Sequence, residues 1–189
     1  MLGYHGCDEQ VGLRLLEEMS FKPSVNDYDW LGHGTYFWEA NPVRGLEWAE
    51  ELRARKREIK VPYVDGGVID LGNCLDLASS SGISLLKKAH HEYVSFSRRN
   101  KFPIPRNRGG SDLFLRHLDC AVINYLCESA LEEGQRIDTV RGVFIEGERI
   151  YPTAGFREKT HIQICVRNAE SIKAVFRVPR KQLPPFDRY

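Results

Sequence analysis

The strongest periodic signal in this 189-residue chain lies in its middle. From about Asp112 to Glu133, the apolar residues Leu115, Leu118, Val122, Tyr125 and Leu126 recur three and four apart, as one helix face requires. A second helical run, SLLKKAHHEYVSF, precedes it, and Ser79 or Ser80 is placed to cap its first turn. Two further helical patterns lie nearer the start. One is DEQVGLRLLEEM, Asp8–Met19, with Val11, Leu15, Leu16 and Met19 on one side. The other opens at Asn41-Pro42, a capping residue followed by a first-turn proline, and runs to about Glu58 with Leu46, Ala49 and Leu52 on one side. Strand signals sit outside the central helices, at residues 1–6, Thr35–Trp38, Gly67–Leu71, Val140–Glu146, Thr160–Val166 and Ile172–Val178. Helices grouped in the middle, with strands toward both ends, predict an α+β fold rather than a regularly wound βαβ sheet. The length suits one domain, read here over residues 1–178, with a proline-rich tail at 179–189.

Hydrophobic residues make up 42% and charged residues 28%, an ordinary globular balance. The net charge of +1 excludes a strongly basic nucleic-acid protein but leaves room for a local basic patch. No apolar run approaches the roughly 18 residues of a membrane span, so no membrane partner is expected. The opening MLGYHGCDEQ has neither the basic nor the apolar region of a secretory leader, which points to the cytoplasm. Cys7, Cys74, Cys120, Cys127 and Cys165 are widely spaced and form no CxxC pair. Reduced thiols, and no metal site, follow from that spacing.

Nucleotide-binding P-loops, Rossmann glycine fingerprints, zinc-protease HExxH and hydrolase GxSxG motifs are all missing. Three stretches remain that could carry chemistry. Tyr4-His5-Gly6 places an imidazole beside a residue without a Cβ, where backbone groups can approach a planar amide. The aromatic stretch Ser24–Pro42 contains GHGTYFWE, in which glycine hinges flank Tyr36, Phe37 and Trp38. At least one of those rings is expected in the core. In EKTHIQICV, Glu158–Val166, period two puts His161, Gln163 and Cys165 on one face and Ile162, Ile164 and Val166 on the other.

Taken in order, YHG at Tyr4–Gly6, DWLGHGTYF at Asp29–Phe37, EWA at Glu47–Ala49 and QICV at Gln163–Val166 resemble the ADP-ribosyltransferase fold. The likeness is to its His-Tyr-Glu branch, the side of diphtheria toxin and the poly(ADP-ribose) polymerases. More narrowly, it is to small bacterial ADP-ribosyltransferase domains of toxin–antitoxin and phage-defence systems. It runs from the first strand to residue 178, although the central helices match only in kind. The resemblance implies a split mixed β-sheet core with inserted helices, NAD as co-substrate and no metal. It implies that His5 holds a ribose of NAD, Gly6 clasps the nicotinamide carboxamide, Tyr36 stacks on the nicotinamide ring and Thr35 lines the same slot. A partner that silences the protein, an antitoxin or immunity protein, is implied as well.

The chain departs from the family pattern where a glutamate steadies the ribosyl cation. Gln163 stands there, and an amide supplies neither a full negative charge nor a base. Glu158, just before the strand, is the alternative source of charge; Glu146 and Glu148 are more distant substitutes. The loss counts first against polymer synthesis and leaves transfer of a single ADP-ribose open. Other readings on the same fold are a degenerate NAD- or ADP-ribose-binding module, an NAD glycohydrolase and an RNA 2′-phosphotransferase. A catalytic variant predicts Glu158 facing the slot, a degenerate one Glu158 facing solvent.

The segment RRNKFPIPRNR carries Arg98, Arg99, Lys101, Arg106 and Arg108, interleaved with Phe102. Cations neutralise phosphates, and an exposed Phe stacks on an unpaired base. A solvated loop anchored by a buried Phe is the plainer reading. The macromolecular target, RNA, DNA or protein, stays open at this point.

Overall fold

The computed structural model describes residues 1–56, 59–110 and 113–184. Strand β1 (Leu2–Asp8) leads directly into helix α1 (Glu9–Glu18), because the Asp8 carboxylate accepts the Gln10 N–H at 3.1 Å and caps the helix. A long loop precedes β2 (Thr35–Glu39), which is followed by α2 (Pro42–Lys56), β3 (Pro62–Ile69) and the short β4 (Cys74–Asp76). Helix α3 (Ser80–Arg99) is capped by the Ser79 hydroxyl, which accepts the Gly82 N–H at 3.0 Å. Helix α4 (His117–Glu132) returns to β5 (Thr139–Phe144), β6 (His161–Val166) and β7 (Ile172–Arg177). The seven strands make one mixed sheet in the order β4-β5-β6-β2-β1-β3-β7, antiparallel throughout except for β4 beside β5. The fold is α+β.

Two boundaries and one strand differ most from the sequence reading. Strand β3 starts at Pro62 rather than Gly67, because Pro62 to Gly66 continue the register with β1 despite their turn-like composition. The glycines there serve packing: a Cβ on Gly66 would lie 2.2 Å from the Phe176 ring. Strand β4 is new, three residues held against β5. Helix α4 begins at His117, not near position 112, because the preceding residues have other partners. Arg108 and Leu115 exchange backbone hydrogen bonds, and the Asn107 side-chain oxygen accepts the Leu118 N–H at 2.8 Å. Asp112, the expected first residue of that helix, lies outside the described residues, as do positions 185–189 of the tail.

Tyr4, Trp38 and Gln163 form one row across β1, β2 and β6, on the face covered by the helices α2, α3 and α4. Leu46 of α2 packs on Tyr4 and Val64, while Ala89 of α3 and Val122, Ile123 and Leu126 of α4 pack on Leu75, Val140 and Cys165. On the other face, Phe37, Ile69, Ile164 and Val166 form a second core beneath Phe21. Helix α1 lies on that face too. A Cβ on its Gly12 would touch Tyr63 and come within 2.6 Å of an Asp65 carboxylate oxygen. Asp65 is fully buried on β3, its Oδ1 without a hydrogen-bond partner and its Oδ2 4.0 Å from the Cys7 sulfur. Burial pushes its carboxyl up to about 7, against a smaller pull from the Arg177 charge.

Candidate functional site

Strands β1 and β2 pair at only two registers, Gly3 with Glu39 and Tyr4 with Trp38, and then part. Strand β1 continues beside β3 through all seven of its residues. The Leu2 carbonyl accepts the Ala40 N–H at 2.9 Å, so the peptide groups of Leu2 face β2. Alternation along a strand then aims those of Tyr4 and Gly6 the same way, and at Gly6 they face the gap. The His5 imidazole fills the missing rung: its Nδ1 lies 2.9 Å from the Tyr36 carbonyl oxygen. A carbonyl only accepts, so Nδ1 carries the proton and Nε2 is left as an acceptor. Burial holds the His5 pKa below its usual value, only partly offset by that hydrogen bond. The half-buried ring packs edge-on to Phe21 at 5.3 Å and against Phe37 at 5.6 Å.

Gly6 marks a very close approach of helix to sheet. A Cβ there would sit 2.0 Å from the Gly45 carbonyl oxygen in α2, a backbone atom with no room to yield. The start of α2 is fixed by Asn41, whose side-chain oxygen accepts the Arg44 N–H at 3.0 Å. The first turn carries Arg44 under the helix, where the residue is 5% exposed.

Around Arg44 lies a buried polar cluster. Its guanidinium reaches Glu51 at 3.2 Å and Glu146 at 3.4 Å, and Lys159 binds Glu51 at 2.8 Å. His161 is buried beside Glu146, with its Nδ1 2.7 Å from the Lys159 carbonyl. That contact puts the proton on Nδ1, so Nε2 accepts from the Gln163 amide at 3.0 Å. The His161 pKa is lowered chiefly by burial, against opposing contributions from the Lys159 carbonyl and the Glu146 charge. Arg44 and Lys159 balance Glu51 and Glu146 in formal charge. Two donors remain unpartnered, Arg44 Nε and the indole N–H of Trp38, whose ring the guanidinium approaches at 6.0 Å.

The sequence-derived residues therefore fall in separate places. His5 and Gly6 border the parting of β1 and β2. Gln163 belongs to the polar cluster, in the same row as Tyr4 and two strands away across Trp38. Tyr36 points away from the His5 ring, into the α3–α4 core, and its hydroxyl donates to the Gly32 carbonyl at 2.7 Å and accepts the Leu31 N–H at 2.8 Å. Gly32 has a φ of 77° and closes that turn; a Cβ there would lie 2.7 Å from the Asn124 side-chain oxygen. Thr35 is buried opposite Val166. Glu158 is exposed, its backbone N–H donating to the Glu148 carbonyl across the β5–β6 loop. The buried carboxylate of that loop is Glu146. Nothing local in the sequence marks Arg44 as a site residue, and His161 is marked only by its alternation with Gln163 on one strand.

A cleft of about 410 Å³ lies between β4, α3 and α4, and another of about 300 Å³ beside His33 and Gly34; neither is lined by His5, Gly6 or Gln163. Among the described residues, no helix is long and apolar enough to cross a membrane, and no three His, Cys, Asp or Glu side chains are grouped to hold a metal ion. All five cysteines are free thiols.

The chain is similar to an uncharacterised protein of Methanocaldococcus jannaschii, MJ0359, with 27% identity over 195 aligned positions, covering 90% of this chain and 83% of that one. No family model matches the chain, and no solved structure does.

Proposed function

We propose that this protein is an NAD-dependent mono-ADP-ribosyltransferase acting on a macromolecule in the cytoplasm, in the manner of a toxin or anti-phage effector held silent by a partner. The observation that carries the reading is the parting of β1 and β2 at His5-Gly6, with the imidazole lodged in the gap. The motif order that resembles the transferase family puts nicotinamide at that point. In this reading, the Gly6 peptide N–H and C=O face the gap and pair with the two ends of the carboxamide. The His5 Nε2 lone pair accepts from a ribose hydroxyl. Gln163 donates to His161 and keeps its oxygen as an oriented acceptor for a second hydroxyl. The C1′–nitrogen bond of NAD breaks with its electron pair leaving on nicotinamide. The acceptor atom then bonds C1′ and releases its proton. The negative charge that steadies the cation is assigned to Glu146, the buried carboxylate of the neighbouring cluster, in preference to Glu158.

A binding module without turnover is the second reading. The exposure of Glu158 and the tethering of the Gln163 amide favour it. One experiment separates the two. Purified protein is given NAD labelled in its adenylate together with cell lysate, half treated with nuclease and half with protease, beside His5→Ala; nicotinamide release and NAD binding by calorimetry are followed in parallel. Label on macromolecules, lost in His5→Ala, is the expected result. Nicotinamide release without transferred label makes the protein a glycohydrolase, and binding without release makes it a module. Neither binding nor release sinks both readings.

A further inference from the structure

Helices α3 and α4 run antiparallel, with Tyr93 and Phe96 packed against Tyr125 at 5.7 and 6.0 Å. The end of α3 therefore lies beside the start of α4, and the connection folds back over that end. The Phe102 N–H donates to the Ser97 carbonyl at 2.9 Å, and Asn107 is bound to the first turn of α4 through Leu118 and Asp119. Arg98, Arg99, Lys101, Arg106 and Arg108 are all exposed at this one end, and among the described residues none of them is in an ion pair. Among the described residues, Glu92 pairs with Lys88, Asp119 with Arg116 and Asn107, and Asp27 with His117. Amid these charges Phe102 is 57% exposed and rests on Phe96, itself 39% exposed, with ring centroids 6.0 Å apart. The plainer expectation, a buried Phe anchoring a solvated loop, does not hold for Phe102.

We infer that this end of the α3–α4 hairpin binds single-stranded nucleic acid. Five cations at one end of the hairpin, without an ion pair among the described residues, repel one another, and an exposed Phe pair keeps apolar surface in water. A strand of unpaired nucleotides relieves both at once, phosphates meeting the cations and a base stacking on Phe102. A duplex answers only the charge, because its bases are already stacked. An acidic peptide answers the charge but does not bring a flat ring with every anionic unit, as a nucleotide does. The inference stands on this surface alone and does not depend on NAD chemistry.

The test uses the full chain and a fluorescein-labelled oligouridine of about 12 nucleotides, within the range that one such surface covers. Anisotropy is read at several salt concentrations, with a duplex of equal length, an acidic peptide and anionic phospholipid vesicles as competitors. With about five phosphate contacts, the single-strand slope of log affinity on log salt is about −3.5, so affinity falls on the order of a hundredfold between 50 and 200 mM. Phe102→Ala should weaken binding about tenfold with the slope unchanged. The combined Arg98→Gln, Arg99→Gln and Lys101→Gln variant should make the slope shallower by about 2. No binding at low salt overturns the inference. So does a duplex, peptide or vesicle that competes better than the unlabelled strand, or an affinity indifferent to Phe102→Ala.

Discussion

Asp65 makes the stability of this protein depend on pH in an unusual direction. Its carboxyl is fully buried, and burial raises its pKa from 3.8 to about 7. Between those values the folded chain keeps a proton that the unfolded chain has released. Stability from this group is therefore full below about pH 4 and is lost as pH rises through 7. At 1.36 kcal/mol per decade the whole interval amounts to about 4 kcal/mol, and the part between pH 5 and pH 8 to about 3 kcal/mol. That is a sizeable share of the roughly 5–15 kcal/mol of a typical domain. Asp65→Asn keeps the shape and stays neutral at every pH. Urea unfolding of both proteins at steps from pH 5 to 8 gives the difference curve, in which the contributions of His5 and His161 cancel. The variant should gain about 3 kcal/mol on the parent across that range, whatever constant offset its amide introduces. Parallel curves, within about 0.5 kcal/mol, would refute a buried neutral carboxyl at this position.

Other outcomes follow from the same geometry. Gly6→Ala forces a Cβ to within 2.0 Å of the Gly45 carbonyl and should cost about 3 kcal/mol or more, read as a lowered Tm; an unchanged Tm would show that α2 is not seated on β1. Tyr36→Phe removes both hydrogen bonds of the phenol and leaves the buried Leu31 N–H unpaired, a loss of about 1–3 kcal/mol in denaturant titration. Glu146→Gln takes one carboxylate from the buried Arg44 and should destabilise by about 3 kcal/mol, while Glu158→Gln on the exposed loop should stay within about 0.5 kcal/mol. Equal effects from the two would mean that the loop is oriented otherwise. His5 has a lowered pKa, so its contribution is complete above about pH 6.5 and fades as pH falls toward the folded value; any NAD binding that uses its Nε2 lone pair should hold through that range and weaken only once pH falls below the folded value, and undiminished affinity there would remove His5 from the site.

Periodicity made most of this fold readable in advance. The helical faces around Leu15, Leu46 and Val122, and the alternation of His161, Gln163 and Cys165, are local patterns that local rules detect. Strand β3 was half hidden because Pro62, Asp65, Gly66 and Gly67 are turn residues in isolation. They become a strand only through register with β1 and through the rings of Phe37 and Phe176 lying over the glycines. The start of α4 was misplaced because Leu115 continues the apolar period, yet its backbone is bound to Arg108. The polar cluster was the least legible part. Arg44 looks like any helix-surface arginine in sequence, and its burial follows from the closeness of α2 to β1 that Gly6 and Gly45 allow. Glu158 is nearer than Glu146 to β6 along the chain. In space the order reverses, because the Lys159 N–H donates to the Glu146 carbonyl and folds the loop so that Glu146 turns inward.

The narrow contact between β1 and β2 divides the sheet into two panels, β4-β5-β6-β2 and β1-β3-β7, joined by two paired registers, the Ala40–Leu2 hydrogen bond and one imidazole. The chain passes from one panel to the other four times: after β1, after β2, after β3 and after β6. Neither panel is a continuous stretch of sequence, so neither can be made first and left waiting. The line of fewest hydrogen bonds is thus also the line most often stitched by the chain itself. Such a seam permits a small opening of one panel against the other without releasing either. It also ties folding to contacts distant in sequence, which makes the approach to the native state slow for a protein of this length.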